Sequence, residues 1–526
     1  MSVFNRASRT KNAVKTSVAG VAVNLAKILL GFGYRSLFLM VLSETYLGIN
    51  GLFTSILQVL SLAELGISTA IVYRFYDPIN REDVEAVGRL MNFFRRVYLT
   101  IAGVILAAGL AVMPFIHLLI RNASEVPPDV NLYVVYLLFL ANTLSSYLFT
   151  YKLSLLTADQ RNYWFSLADL AATLARYGGQ IAVLLSTRSF TWTLASGILA
   201  ALAVNYAFSR WVTAQYREVF RVREMLPKRE RSAIYRDTRA ILYHKVGTTV
   251  LLSTDNAVLT RMVSLAATGI YSNYSMILLY TQTLIGQLLG NFTPSVGNAR
   301  RNMDDEAYAA LFRKITFIGL WVACAVTVCC YAALDDLIAV WLGPKFLFRG
   351  LTTPVLCVQL YLSVSRSTNG AFINADGLFV RDRIRPLIEA ALNLGISILL
   401  TKHLGIVGVF LGTILSTGLT VFWREPLIIY KYSLHRPVRE YWGRYAAFTA
   451  LTLLGALAVW GVKRLLAPSP SWLLLFGETA LTFLLVNGLL VLVFRRTPEF
   501  RYLRALVRRG LAKLKKTPNQ RIGDRI

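Results

Sequence analysis

Long apolar segments are the feature that most constrains how this chain of 526 residues can fold. A membrane-spanning helix needs about 20 mostly apolar residues, and the sequence contains fourteen such segments in succession. They are residues 16–42, 47–73, 93–117, 130–156, 163–186, 191–213, 242–263, 269–292, 314–334, 351–374, 386–402, 405–424, 444–463 and 472–494. Because lipid cannot satisfy open backbone polar groups, segments of this length predict helices. The sequence therefore predicts an all-α polytopic membrane protein with about fourteen transmembrane helices.

The composition excludes a soluble globule. Hydrophobic residues make up 55% of the chain and charged residues only 16%, against about 25% charged residues in an ordinary soluble domain. Lys and Arg outnumber Asp and Glu by 56 to 28. In a soluble protein that excess would favour nucleic acid as a partner. Here the position of the charges has another explanation, so no nucleic-acid partner is expected.

The basic residues are distributed very unevenly between the loops. When alternate loops are assigned to the cytoplasm, beginning with the N-terminus, the cytoplasmic loops and the span ends that adjoin them carry 44 Lys and Arg, and the outer loops with their adjoining span ends carry 7. The remaining five are counted inside the spans. Cytoplasmic loops of membrane proteins are enriched in these residues. The distribution predicts that both termini are cytoplasmic, which requires an even number of spans.

A weak internal repeat divides the chain. The motif Leu47-Gly48-Ile49-Asn50 and the motif Thr268-Gly269-Ile270-Tyr271 each begin the second span of a six-span unit, about 220 residues apart. Transporters often contain such repeats, with the substrate site between the two halves. The predicted divisions are a six-helix lobe at 1–213, a basic amphipathic linker at 214–241, a second six-helix lobe at 242–424, two additional helices in 425–494 and a basic tail at 495–526. In the linker and the tail, apolar residues recur at helical spacing among Lys and Arg. This pattern indicates either attachment to anionic membrane lipids or ordinary cytoplasmic charge.

Several spans carry polar side chains on one face. An ionisable group at bilayer depth costs about 2.5–3.5 kcal/mol on insertion scales, so it faces a cavity or a partner. The planar guanidinium of Arg suits a phosphate because it binds with two parallel hydrogen bonds. The candidates for binding an anionic substrate are Arg35, Arg176, Arg261, Lys27, Arg366, Asn273 and Gln180, and those for ion coupling are Asp255, Glu64 and Asp169. The alternative is that these side chains only join helices to one another.

No motif of a soluble enzyme is present. The sequence has no Walker A, GxSxG or HExxH motif, and its four His residues are scattered. The four Cys residues lie in apolar runs without metal-ligand spacing. We therefore expect no enzymatic activity and no metal or organic cofactor, with H⁺ or Na⁺ as a possible coupling ion.

Four segments and one dipeptide resemble a known family. They are YLGINGLF at 46–53, LSLAELG at 60–66, GIYSNY at 269–274, LGIVGVFLGTILS at 404–416, and Arg385-Pro386 leading into Asn393. They are similar to the O-antigen and capsule repeat-unit flippases (Wzx-type) of the multidrug/oligosaccharidyl-lipid/polysaccharide exporter superfamily. The resemblance covers roughly residues 10–435.

The resemblance implies a fold and a function. It implies two six-helix lobes around a central cationic cavity that opens alternately to each side, plus two extra helices. The substrate would be a polyprenyl-pyrophosphate-linked oligosaccharide, moved from the inner to the outer leaflet of a bacterial cytoplasmic membrane for surface polysaccharide synthesis. Glycosyltransferases and a polysaccharide polymerase would be partners. A lipid II flippase or a multidrug extruder of the same fold, a membrane-embedded glycosyltransferase or ligase, and a scaffold for polymer assembly are the alternatives.

Overall fold

A computed structural model describes most of the chain. The described residues are 9–61, 67–290, 292–348, 350–378, 381–382, 384–466 and 470–515. Most of them are helical and none of them forms a strand. The predicted all-α class is therefore confirmed.

The α-helices follow one another with short connections. In chain order they are α1 Arg9–Val41, α2 Glu44–Leu60, α3 Ile67–Asn80, α4 Val84–Val112, α5 Leu132–Ala158, α6 Asn162–Thr187, α7 Phe190–Gln215, α8 Arg217–Arg221, α9 Lys228–Met262, α10 Leu265–Gly290, α11 Phe292–Asn302, α12 Asp305–Trp341, α13 Thr352–Ser365, α14 Ser367–Ala375, α15 Arg385–Leu404, α16 Ile406–Leu419, α17 Val421–Ile429, α18 Arg439–Leu466, α19 Trp472–Phe494 and α20 Pro498–Lys515. Each of the fourteen predicted spans falls on one of these helices or on a consecutive pair.

Nine helical segments of the described residues are long and apolar enough to cross a membrane. They are Ala19–Val41, Val84–Leu119, Leu132–Phe149, Phe190–Gln215, Asp305–Trp341, Arg385–Leu404, Ile406–Leu434, Arg439–Leu465 and Trp472–Phe494. The chain is thus a multi-pass membrane protein, and nine such segments are consistent with about fourteen spans. Several of the other predicted spans carry the polar side chains that lower mean hydropathy.

The predicted linker contains a helix break and then the start of a long helix. After the short helix α8 the chain is extended as far as Pro227, and α9 begins at Lys228. Proline lacks a backbone N–H and suits the first positions of a helix rather than its interior. Helix α9 then continues without interruption through the seventh predicted span. The second half of the linker is therefore continuous with the helix that carries the seventh predicted span.

The helix order repeats with a displacement close to 221 residues. Helix α2 begins at Glu44 and α10 at Leu265, while α4 begins at Val84 and α12 at Asp305. The residues that cap these helices repeat as well, since the Asp83 carboxylate accepts from the N–H of Ala86 and the Asp304 carboxylate accepts from the N–H of Ala307. A side-chain acceptor at this position satisfies one of the open N–H groups of the first turn. The weak sequence repeat thus corresponds to a structural one.

The two repeat motifs pack against each other. A Cβ atom at Gly48 would collide with the carbonyl oxygen of Leu265, and a Cβ atom at Gly269 would collide with that of Glu44. Leu265 precedes Gly269 by four residues, as Glu44 precedes Gly48, so the contact is reciprocal. Glycine is needed at both positions because backbone approaches backbone. We call this contact the glycine crossing.

Two compact units can be distinguished. The first comprises the described residues of Met1–Ser272 and Arg383–Gly412, and the second those of Asn273–Asp382 and Thr413–Ile526. The core of the first includes Phe53, Phe94 and Tyr136, each fully buried. In the second, Phe317, Phe448 and Phe494 form an aromatic cluster with ring centroids 4.6–5.4 Å apart. The predicted lobe boundaries stay a prediction.

The glycine crossing predicts that alanine substitutions at different glycines change the stability of the protein differently. Alanine at Gly48 or at Gly269 overfills the crossing, and overpacking of this kind costs about 1–3 kcal/mol. Alanine at Gly286 meets no atom within 4 Å and favours the helix by up to about 1 kcal/mol. The thermal unfolding midpoint of the purified protein in detergent should fall for Gly48→Ala and Gly269→Ala but not for Gly286→Ala. Equal midpoints for all three variants would contradict the close contact.

Candidate functional site

Helices α1 and α6 meet along a polar seam in the first unit. Nζ of Lys27 lies 2.7 Å from Oδ2 of Asp169, and the rings of Tyr34 and Tyr177 stack with centroids 4.7 Å apart. The residue numbers of the two contacts increase in the same order along α1 and along α6, so the two helices run in the same direction. Spans 1 and 5 require this direction in the predicted topology, because both begin on the same side of the membrane. We call this set of contacts the α1–α6 seam.

Two arginines flank the stacked tyrosines of the seam. Arg35 follows Tyr34, and one of its terminal nitrogens donates a hydrogen bond of 2.7 Å to the hydroxyl of Ser272. Arg176 precedes Tyr177, and its Nε is buried without a hydrogen-bond partner in the described part of the chain. No carboxylate of the described residues forms a salt bridge with Arg176 under 4.0 Å. Because an unsatisfied buried donor costs about 1–3 kcal/mol, this nitrogen is a candidate for binding an acceptor from a ligand.

The hydrogen bond of Arg35 has a counterpart in the second half of the repeat. The amide of Asn256 donates to the carbonyl oxygen of Gly51 at 3.4 Å and to the hydroxyl of Ser55 at 2.9 Å. Asn256 stands 221 residues after Arg35, and Ser272 stands 221 residues after Gly51. The two halves therefore make equivalent contacts, with a guanidinium in the first and a neutral amide in the second.

The cation Arg366 is neutralised in the second unit. Its Nε and a terminal nitrogen donate to the two carboxylate oxygens of Glu425 at 3.2 and 2.8 Å. The Glu425 side chain is only 8% exposed. A bidentate pair of this kind is among the strongest of ionic contacts. The sequence analysis missed this pair because it ended the twelfth span at residue 424, one position before the carboxylate.

The remaining candidates have different surroundings. Arg261 is exposed in the last turn of α9. Asn273 is fully buried within α10, and Gln180 packs against Gly197 of α7. Asp255 is 6% exposed on α9. Glu64 lies outside the described residues.

A second buried ion pair also escaped the sequence analysis. On α15, a terminal nitrogen of Arg385 lies 2.6 Å from a carboxylate oxygen of Glu389, one helical turn further on, and both side chains are buried. Spacing of four residues between an acid and a base was the available signal. Among the described residues there is no group of three or more His, Cys, Asp and Glu that could hold a metal ion.

Comparisons with solved structures show which fold this is. The chain superimposes on the lipid II flippase MurJ in an inward closed conformation with a TM-score of 0.62 at 12% identity, covering 92% of this chain and 100% of that one. It superimposes on an inward-facing MATE-family multidrug resistance transporter of the MOP superfamily with a TM-score of 0.57 at 14% identity, covering 82% and 99%. An outward-facing transporter of the same family gives a TM-score of 0.51 at 13% identity, covering 85% and 98%.

The fold is that of these membrane transporters. No family model matches the sequence, and no curated protein matches it. The fold and the geometry of the polar contacts are therefore what a functional proposal can rest on.

The pair Arg366–Glu425 predicts a stability effect. Glu425→Gln removes the carboxylate charge that accepts two hydrogen bonds from the half-buried Arg366, and breaking a buried pair in this way costs on the order of 3 kcal/mol. The control is Asp77→Asn in the Arg81–Asp77 pair, whose side chains are 74% and 73% exposed and whose loss should cost at most about 1 kcal/mol.

Thermal unfolding of the purified protein measures both effects. The double variant Arg366→Met/Glu425→Met should recover most of the lost stability, because it removes both charges of the pair together. A Glu425→Gln variant as stable as Asp77→Asn would show that the pair is not a structural one.

Proposed function

We propose that this protein is a flippase. Its substrate is a polyprenyl-pyrophosphate-linked oligosaccharide, which it moves from the inner to the outer leaflet of a bacterial cytoplasmic membrane by alternating access. Surface polysaccharide synthesis would be the process served, with glycosyltransferases and a polymerase as partners. Both termini are cytoplasmic in this proposal. The observation that carries it is the buried Nε of Arg176, which has no hydrogen-bond partner among the described residues, in a protein with a transporter fold.

The charges of the α1–α6 seam favour an anionic substrate. Lys27 is compensated by Asp169, whereas Arg176 has no carboxylate partner within the described residues. The guanidinium of Arg presents parallel donors that match phosphate oxygens. An organic cation would instead favour a site of net negative charge, so the seam disfavours a multidrug extruder of cations.

Coverage of the chain favours a lipid-linked substrate. The superposition on the lipid II flippase covers 92% of this chain, and the superpositions on the two MATE transporters cover 82% and 85%. Lipid II flipping is the second candidate function, since a flippase of that kind has the same fold. The polysaccharide assignment rests on the segments at 46–53, 269–274 and 404–416 that resemble O-antigen and capsule flippases.

The pyrophosphate gives the reaction a direction. It carries about two negative charges, and each charge moved outward gains about 2.3 kcal/mol per 100 mV of membrane potential. The potential alone then contributes roughly 4–5 kcal/mol per transported lipid. Asp255, buried on α9, is the proposed site for proton or sodium entry on the return step.

Substitution of the arginines tests substrate binding. Arg35→Ala, Arg176→Ala and Arg261→Ala should each lower surface polysaccharide in cells by roughly one to two orders of magnitude, because each removes charge-assisted hydrogen bonds to the pyrophosphate. Lys at the same positions should restore export in part, since the charge remains but the planar fork does not.

Arg188→Ala is the matched control. Arg188 is exposed and follows the last residue of α6, so export should stay normal. Immunoblots of the membrane fraction establish that all variants reach normal levels. Normal export by all three alanine variants would refute the role of these cations.

Alternating access requires the contact between α2 and α9 to open. The hydroxyl of Ser55 and the amide of Asn256 are 2.9 Å apart, so cysteines at both positions should be joined by an oxidant or a short thiol cross-linker. In a background without the four native cysteines, cross-linking of Ser55→Cys/Asn256→Cys should stop export, and a reductant should restore it.

The two single-cysteine variants control for the reagents. Export that continues while the double variant is fully cross-linked would show that α2 and α9 stay together throughout the cycle.

A further inference from the structure

The C-terminal helix α20 forms an apolar cavity with two membrane helices. The cavity has a volume of about 360 Å³ and lies between α12, α19 and α20 in the second unit. Its apolar walls include Ile318 and Val322 of α12 and Leu503 and Val507 of α20. Small-molecule sites have volumes of about 300–1,000 Å³, so the space is sufficient for a ligand.

Several contacts fix α20 over this cavity. The rings of Trp321 and Phe500 stack with centroids 5.6 Å apart, and the indole N–H of Trp321 donates to the side-chain oxygen of Asn487 at 2.9 Å. Arg444 of α18 lies 2.9 Å from the buried carboxylate of Glu499. These contacts attach α20 to α12 and α18, and α19 to α12, beside a cavity that lies along the middle of α12.

Two cations border the apolar walls. Arg504 and Arg508 line the cavity, are exposed, and stand one helical turn apart. Neither forms a salt bridge under 4.0 Å with a carboxylate of the described residues. Val507 beside them is 51% exposed. An apolar cavity with a cationic rim is complementary to a molecule that joins an acyl chain to a phosphate.

We propose that this cavity binds an anionic phospholipid of the cytoplasmic leaflet. The phosphate contacts Arg504 and Arg508, and an acyl chain enters between Ile318, Val322 and Leu503. Helix α20 follows the last predicted span directly and has the amphipathic pattern of a helix that lies in the membrane interface. Anionic lipids are concentrated in that leaflet and attract basic segments beside a membrane helix. This proposal is independent of the transported substrate.

Lipid titration of the purified full-length protein tests the site. We expect phosphatidylglycerol to raise the thermal unfolding midpoint in detergent, and phosphatidylcholine with the same acyl chains to have little effect. In Arg504→Gln/Arg508→Gln, the phosphatidylglycerol concentration for half of the effect should rise about thirtyfold. Val507→Trp, which fills the cavity and keeps both charges, should also weaken the effect.

The matched control is Arg495→Gln/Arg496→Gln. It removes two exposed charges from the turn before α20, outside the cavity, and should keep the response to phosphatidylglycerol. Equal effects of the two lipids, or equal losses in the two double variants, would overturn the proposal. So would an unchanged response in Val507→Trp. A polyprenyl phosphate that binds through Arg504 and Arg508 more tightly than phosphatidylglycerol would refute the phospholipid as occupant.

Discussion

The glycine crossing is the contact on which the arrangement of the first unit depends. At Gly48 and Gly269 the backbones of α2 and α10 touch, and the equivalent contacts of Arg35 and Asn256 lie within the next turns of the same helices. Close backbone contact replaces the hydrophobic effect as a driving force where lipid surrounds the helices. A contact made of small groups and a few hydrogen bonds is also one that can separate and re-form, as the proposed alternating access would require.

Most intramembrane charge is used to join helices. Lys27–Asp169 connects α1 to α6, and Arg366–Glu425 connects α13 and α14 to α17. Such pairs add no net charge, so a count of cations in the spans overstates the positive field available to a substrate. Arg176 is then the informative residue, because its buried Nε lacks a partner. An anion at this position would remove a cost that the protein alone bears.

Hydropathy was sufficient to predict the helices. Helical phase was sufficient to place Lys27 and Arg35 on one face of α1, and Asp169 and Arg176 on one face of α6. Pairing between helices was beyond either method, because it depends on which helices become neighbours. The partner of Arg366 was missed at a span boundary that sequence can fix only to within a few residues. Arg261 lies close to a boundary of the same kind, in the last turn of α9, and its role stays a prediction.

The repeat separates what builds the fold from what serves transport. Residues displaced by 221 positions keep the glycines of the crossing and the aspartates that cap α4 and α12. The cations change, because Lys27 and Arg35 correspond to Thr248 and Asn256. Where an ion pair joins α1 to α6, a hydrogen bond of 2.9 Å between the neutral side chains of Thr254 and Asn393 joins α9 to α15. Both halves need the same packing contacts. A ligand that is charged at one end, in contrast, needs a site whose charges lie mainly in one half. The difference in charge between these equivalent positions is therefore the feature that would suit the proposed lipid-linked pyrophosphate.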